Sequence, residues 1–333
     1  MNNGDMMSDL STTYLGLPLQ NPLIVGSCGL TNSLHSIKEL AEYGAGAIVL
    51  KSLFEEQIQA EYSHNLAHYH SDHPASLDYI RHYTRNNAVD EYLRLITDAK
   101  KAVPIPIIAS INCISNKEWI SFARSVESQG ADALELNISL LPSNPNRSAQ
   151  ENESLYFDIL DQVRLQVAIP IVLKMSRYSS TLANLVARLS WTGKVDGFVL
   201  FNRYYRPDID IESMTIKAAD IFSTPLENIE TLRWIALLSR STDLDLVAST
   251  GIHDSEGLIK QLLAGATAVE VVSTIYQHGP QQINRMLEGL CQWMTAHSYN
   301  SIDTFRGALS YQKAEDPAAY ERIQFMKQYG GIE

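Results

Sequence analysis

Eight short apolar runs, amphipathic segments of helical length between them, and glycines closing several of those segments predict an α/β fold for this 333-residue chain. Eight β-then-α units in series point to a (β/α)8 TIM barrel, with a doubly wound open sheet as the alternative arrangement. The runs are Pro22–Gly26, Ala45–Lys51, Ile105–Ile111, Ala133–Ser139, Ile169–Met175, Gly197–Asn202, Asp245–Thr250 and Ala268–Ser273. Their hydrophobicity is continuous rather than alternating, as in parallel strands buried on both faces. Helical spacing recurs at Leu34–Tyr43, Lys117–Gln129, Ser154–Gln166, Ser180–Trp191 and Ser255–Leu263. Gly44, Gly130 and Gly265 each stand between such a segment and the next strand. Glycine there accepts the left-handed conformation that ends a helix.

The strands are unevenly spaced. About fifty residues separate the second run from the third, and about forty the sixth from the seventh. Both gaps exceed a loop and one helix, so insertions are expected after strands 2 and 6. They would emerge at the C-terminal face, where barrels build their active sites. No linker composition divides the chain, and residues 1–333 read as a single domain.

Composition narrows the function classes. Lys and Arg number 26 against 38 Asp and Glu, a net charge of −12. That balance disfavours nucleic acid and anionic membrane, whose phosphates it could not neutralise. The three cysteines, Cys28, Cys113 and Cys291, are widely spaced and read as thiols in a reducing compartment. The amino terminus lacks the basic and apolar regions of a signal peptide. No apolar run exceeds about ten residues, against the ~20 a membrane-crossing helix needs. A cytoplasmic protein without membrane contact is expected, with a small-molecule substrate and self-association into a dimer.

Polar residues collect at the carboxyl ends of the runs: Ser27, Lys51 and Ser52, Asn112 and Cys113, Asn137 and Ser139, Lys174, Asn202, Thr250–Gly251, and Ser273–Thr274. A solvated strand end explains any one of them. Lys51 and Lys174 lie inside apolar runs, where an unpaired ammonium is costly, and an anionic ligand in the barrel mouth would account for both. Thr250–Gly251 and Ser273–Thr274 follow the seventh and eighth strands, where barrels hold phosphate against backbone N–H groups.

In order along the chain, LGLPLQNPLIVGS, GAGAIVLKS, ELNIS, PIVLKMS, FN, STGI and AGATAVEVVSTIYQHGP resemble the dihydroorotate dehydrogenase family of FMN-dependent barrels. The likeness runs from about Leu15 to Pro280 and is nearest the class 1 branch. It implies an FMN oxidoreductase that passes a hydride from dihydroorotate to flavin N5, yielding orotate for pyrimidine biosynthesis. By this resemblance Lys51 lies beside flavin and substrate, and Asn137 and Asn202 bind the substrate ring. Lys174 faces the flavin N1–O2 edge, so Lys174→Ala is expected to weaken flavin reduction far more than folding. Ser27 and Ser52 contact the isoalloxazine, and Gly251 and Ser273, with Thr274 beside them, bind the ribityl phosphate.

Three stretches depart from the family pattern. The family's catalytic Cys or Ser follows Asn-x-Ser; here the stretch is Asn137-Ile-Ser-Leu-Leu-Pro-Ser-Asn, with Leu140 at the base position. Ser143 is a candidate replacement if the loop is re-routed, Cys113 is a second candidate thiol, and the absence of any equivalent base is the third reading. The loop after strand 2 replaces a pyrimidine-clamping segment with one carrying His64, His68, His70 and His73. Those histidines read as surface residues or as a metal cluster. Thr250 and Val272 stand where the family uses glycine, and Arg203 and Arg206 either charge the site or decorate a helical insertion. Two further functions compete with the oxidoreductase: a degenerate barrel that binds flavin or a phosphorylated ligand without turnover, and a metal-dependent hydrolase built on the histidines.

Overall fold

The computed structural model describes residues 8–54, 74–112, 116–138 and 140–322. The chain enters through a hairpin, β1 (Thr12–Tyr14) and β2 (Leu17–Leu19), and then alternates strands and helices. These are β3 (Leu23–Val25), α1 (Leu34–Glu42), β4 (Ala47–Val49), β5 (Leu53–Phe54), α2 (Pro74–Ala102), β6 (Ile107–Asn112), α3 (Asn116–Ser128) and β7 (Ala133–Asn137). There follow α4 (Ala149–Arg164), β8 (Ile171–Lys174), α5 (Leu182–Ser190), β9 (Gly197–Leu200), β10 (Pro207–Asp210), β11 (Thr215–Ala218), α6 (Asn228–Leu238) and β12 (Asp245–Ser249). The series ends with α7 (Ser255–Ala264), β13 (Ala268–Val271), α8 (Ser273–His278) and α9 (Gln282–Ala296).

Strands β3, β4, β6, β7, β8, β9, β12 and β13 pair in parallel in that order, and β13 pairs back onto β3. The sheet is closed: a (β/α)8 barrel whose eight strands are the eight apolar runs. An open sheet is excluded by the β13–β3 and β4–β6 pairings.

Alternation along each strand sorts the side chains into two cores. Leu134, Leu136, Leu173, Leu200 and Val269 point outward and pack with Ile37, Ile96, Leu160, Leu189 and Leu258 of the helices. Ile24, Val49, Ile108, Ala133, Val172, Val199, Val247 and Ala268 point into the barrel. Tyr14, Leu15 and Leu19 of the entry hairpin join this inner group, and the Leu15 N–H donates to Asp245 Oδ2 at 2.7 Å. Asp245 opens β12, so the hairpin plugs the N-terminal end of the barrel.

Helix ends follow local chemistry. Gly44, Gly130 and Gly265 have φ of 92°, 88° and 120°, as their positions between helix and strand require. Helix α4 begins at Ala149, earlier than the helical pattern from Ser154 suggests, because Ser148 and Glu151 form a reciprocal capping box. The insertion after the sixth strand is not helical: β10 and β11 form an antiparallel hairpin. Cys113, Ser139, His64, His68, His70 and His73 lie outside the described residues. Among the described residues, no helix is long and apolar enough to cross a membrane.

Candidate active site

Two residues above the inner apolar layer, the same alternation brings polar side chains into the barrel. Glu135 on β7, Lys174 on β8 and Glu270 on β13 are all buried, at 0%, 7% and 2% exposure. Lys174 Nζ donates to Glu270 Oε2 at 2.6 Å and to Glu135 Oε1 at 3.4 Å. The anions that balance Lys174 come from the chain itself, so an anionic ligand is not needed to account for this lysine. Burial and then the neighbouring Glu270 push the Glu135 carboxyl up to about 8, against the pull of Lys174. Burial acts to lower the Lys174 ammonium, but Glu135 and Glu270 together hold it above the usual lysine range.

Serines border this cluster. Ser110 Oγ donates to Glu135 Oε1 at 3.3 Å and lies 2.7 Å from Ser52 Oγ. Ser52 Oγ lies 3.0 Å from Ser27 Oγ, which also accepts the Ser52 N–H at 2.8 Å. Tyr92 of α2 brackets Ser110, its hydroxyl donating to the Ser110 carbonyl and accepting the Ser110 N–H.

Above the charged floor is a cavity of about 180 Å³ at the C-terminal face. Ser27, Lys174, Asn202, Thr250, Gly251, Glu270 and Ser273 line it, so five of the anticipated site residues share one cavity. Thr250 and Gly251 hold φ at 81° and 82°. The Thr250 backbone thus keeps the left-handed conformation natural to glycine, and its hydroxyl donates to the Phe201 carbonyl at 3.1 Å. A Cβ on Gly251 would come within 2.2 Å of the Asn228 nitrogen, so only glycine fits. The Gly251 N–H faces Ser223 Oγ at 3.4 Å, and Ser223 N–H donates to Ser273 Oγ at 3.0 Å. Ser223 Oγ also meets His253 Nε2 at 3.0 Å, and burial holds that imidazole below its usual range.

The remaining anticipated residues are placed as follows. Asn202 Nδ2 donates to Asn137 Oδ1 at 3.1 Å, so the two asparagines form one polar edge. Ser52 is buried beneath Ser27, and half-buried Lys51 follows β4, its N–H donating to the Thr31 carbonyl. Thr274 does not reach the cavity: its hydroxyl donates to the His253 carbonyl at 2.8 Å. Leu140 packs against the outer core and lines a separate cavity with Tyr156 and Arg177. Ser143 is exposed and lines neither cavity. Arg203 and Arg206 both pair with Glu227, at 3.2 and 2.7 Å, and Arg203 also lines the cavity, so it charges the site as well as holding the insertion.

Glu135, Glu270, Ser110, Ser223 and His253 were not anticipated. The first two had a signal: ALELNIS and AVEVVS each carry one glutamate in a buried strand, as IPIVLKM carries its lysine.

The fold and this polar mouth define the chain as a (β/α)8-barrel protein with its site at the C-terminal strand ends. A family model described as dihydroorotate dehydrogenase matches residues 9–294, and the chain belongs to that family. It is 26% identical over 313 residues to the dihydroorotate dehydrogenase B (NAD(+)) catalytic subunit of Thermoplasma volcanium, covering 90% of this chain and 98% of that protein. The protein of the same description from Methanothermobacter thermautotrophicus is also 26% identical over 313 residues, 90% of this chain and 97% of its own. A putative dihydroorotate dehydrogenase A (fumarate) of Aeropyrum pernix is 23% identical over 304 residues, 90% of this chain and 97% of its own. The chain is thus a divergent member of a family of oxidoreductases.

Proposed function

We propose that this chain is an FMN-dependent oxidoreductase of dihydroorotate dehydrogenase type, acting on dihydroorotate or another reduced cyclic amide. One observation carries the reading: Ser27, Lys174, Asn202, Gly251 and Ser273, from five different strand ends, line a single cavity. The test of fit is the Gly251 stretch, whose backbone lines the cavity and packs too closely on Glu227 and Asn228 for any side chain. The Gly251 N–H faces Ser223 Oγ, and Ser273 Oγ accepts the N–H of the same Ser223, so the two groups border one short polar stretch. N–H and hydroxyl groups at the rim suit a phosphate, with the Glu270 carboxyl on the floor engaged by Lys174.

When bound, FMN would supply the hydride acceptor. The chain's part is to bind and orient. Gly251 and Ser273 would hold the phosphate, Ser27 and Ser52 the ring system, and the Asn137–Asn202 edge the substrate amide. Lys51 would sit beside both ligands, and Lys174 would present an ammonium already shared with two carboxylates. The relatives' names give NAD(+) in two cases and fumarate in another as the electron acceptor.

A second reading, flavin binding without dihydroorotate turnover, is favoured by Leu140. That side chain cannot accept a proton, and Ser143 is exposed. A general base typically contributes ~10²–10⁴-fold, so wild-type turnover should be slow. The deciding experiment is FMN titration followed by anaerobic mixing with dihydroorotate. Bleaching of the yellow colour supports the first reading; bound flavin that stays oxidised supports the second. A protein that takes up no FMN rejects both.

A further inference from the structure

The charges inside the barrel do not cancel when all are ionised: Glu135 and Glu270 carry two negatives and Lys174 one positive. The ammonium engages one oxygen of each carboxyl. The other two, Glu135 Oε2 and Glu270 Oε1, are buried without a hydrogen-bond partner among the described residues. Both carboxyls meet the same ammonium, so two carboxylates there would outnumber the one positive charge in a buried site. A single proton on the pair brings the cluster to zero charge. From Glu135 a line of hydroxyls then runs through Ser110 and Ser52 to Ser27, in steps of 3.3, 2.7 and 3.0 Å. In the last two contacts either oxygen can donate, so the line can point inward or outward. Ser27 lines the cavity.

We propose that Glu135 and Glu270 store one proton at neutral pH and that Ser110, Ser52 and Ser27 relay it between this store and the cavity. In the outward direction Glu135 gives its proton to Ser110 Oγ, Ser110 gives its own to Ser52, and Ser52 to Ser27. Ser27 releases one to a base in the cavity. Each hydroxyl ends with one proton, Glu135 ends as a carboxylate against Lys174, and no electron moves. The inward direction reverses every step.

The groups facing the store are Lys174 from β8, Ser110 from β6, Tyr14 from the entry hairpin and Tyr92 from α2. Burial holds both phenols above their usual range, so they stay neutral. The store extends the oxidoreductase reading without depending on it, since any ligand whose charge changes in the cavity could draw on it.

Infrared spectroscopy of the flavin-free protein tests both parts. A protonated-carboxyl band is expected at neutral pH and should disappear on titration through about 8. It should be missing from Glu135→Gln and from Glu270→Gln. A wild-type spectrum without the band at neutral pH overturns the store, as does a band that survives in both variants. The wild-type titration decides the matter alone if neither variant folds. In a stopped-flow jump to alkaline pH, Ser110→Ala should lose the band several-fold more slowly than wild type, with the same band at equilibrium. An unchanged rate overturns the relay. None of these readings uses flavin or turnover, so they stand or fall apart from the proposed function.

Discussion

Thr250 keeps a backbone conformation, φ 81°, that a β-branched side chain rarely enters. Such strain costs of order 1–3 kcal/mol and is held by surrounding structure. Thr250→Gly should therefore raise the melting temperature, and calorimetry reads the gain. A lower melting temperature would mean that the hydroxyl bond to the Phe201 carbonyl outweighs the strain. Lys174 presents the opposite case. Among the described residues its ammonium is the only cation paired with Glu135 and Glu270, so Lys174→Met should cost about 3–5 kcal/mol, measured by urea unfolding. A loss of that size would give Lys174 a large share in folding, beside the expectation that Lys174→Ala weakens flavin reduction far more than folding. A lysine within PIVLKM signals a buried charge, but its partners sit 39 residues before it and 96 after it, and only barrel closure brings them together.

The insertion after β9 hangs on one carboxylate. Glu227 accepts from Arg203, Arg206 and the Thr224 N–H, while Arg203 also donates to the carbonyls of Asp220, Ile221 and Phe222. The exposed β10–β11 hairpin carries little apolar burial of its own. Glu227→Ala should loosen this segment before the barrel. Limited proteolysis should then cut between residues 207 and 222 faster than in wild type, with the helical circular dichroism nearly unchanged. Equal cleavage rates would show that the hairpin is held by other contacts. All eight barrel strands were legible as elements because continuous apolar runs survive in any parallel barrel. The hairpin was not, because PDID and TIKA alternate over surface residues and bury nothing.

At the scale of the molecule, the raised Glu135 carboxyl ties stability to pH. Its ordinary value is 4.5 and its folded value about 8, so the folded state holds a proton that the unfolded chain has lost between those limits. Stability should therefore fall as pH rises through that window and level off above it. Glu135→Gln should flatten the difference, which denaturant titrations across the window would measure. A slope shared equally by wild type and variant would assign the effect elsewhere. The candidate site was partly legible on the same scale: Ser27, Lys174, Asn202, Gly251 and Ser273 were recognisable at strand ends. The store beneath them was not, because a lone glutamate in a run gives no hint of which strands face it across the barrel.

The entry hairpin also bears on how the chain is made. Leu15 donates its N–H to Asp245, 230 residues later, and a Cβ on Gly197 would sit only 3.0 Å from both the Leu15 side chain and the Asp245 carbonyl. On a ribosome, Tyr14, Leu15 and Leu19 emerge well before β12, and until β12 has been synthesised this apolar segment lacks its Asp245 partner. Nascent chains released before Asp245 should keep it uncovered, whereas those released after β13 can seal the base of the barrel.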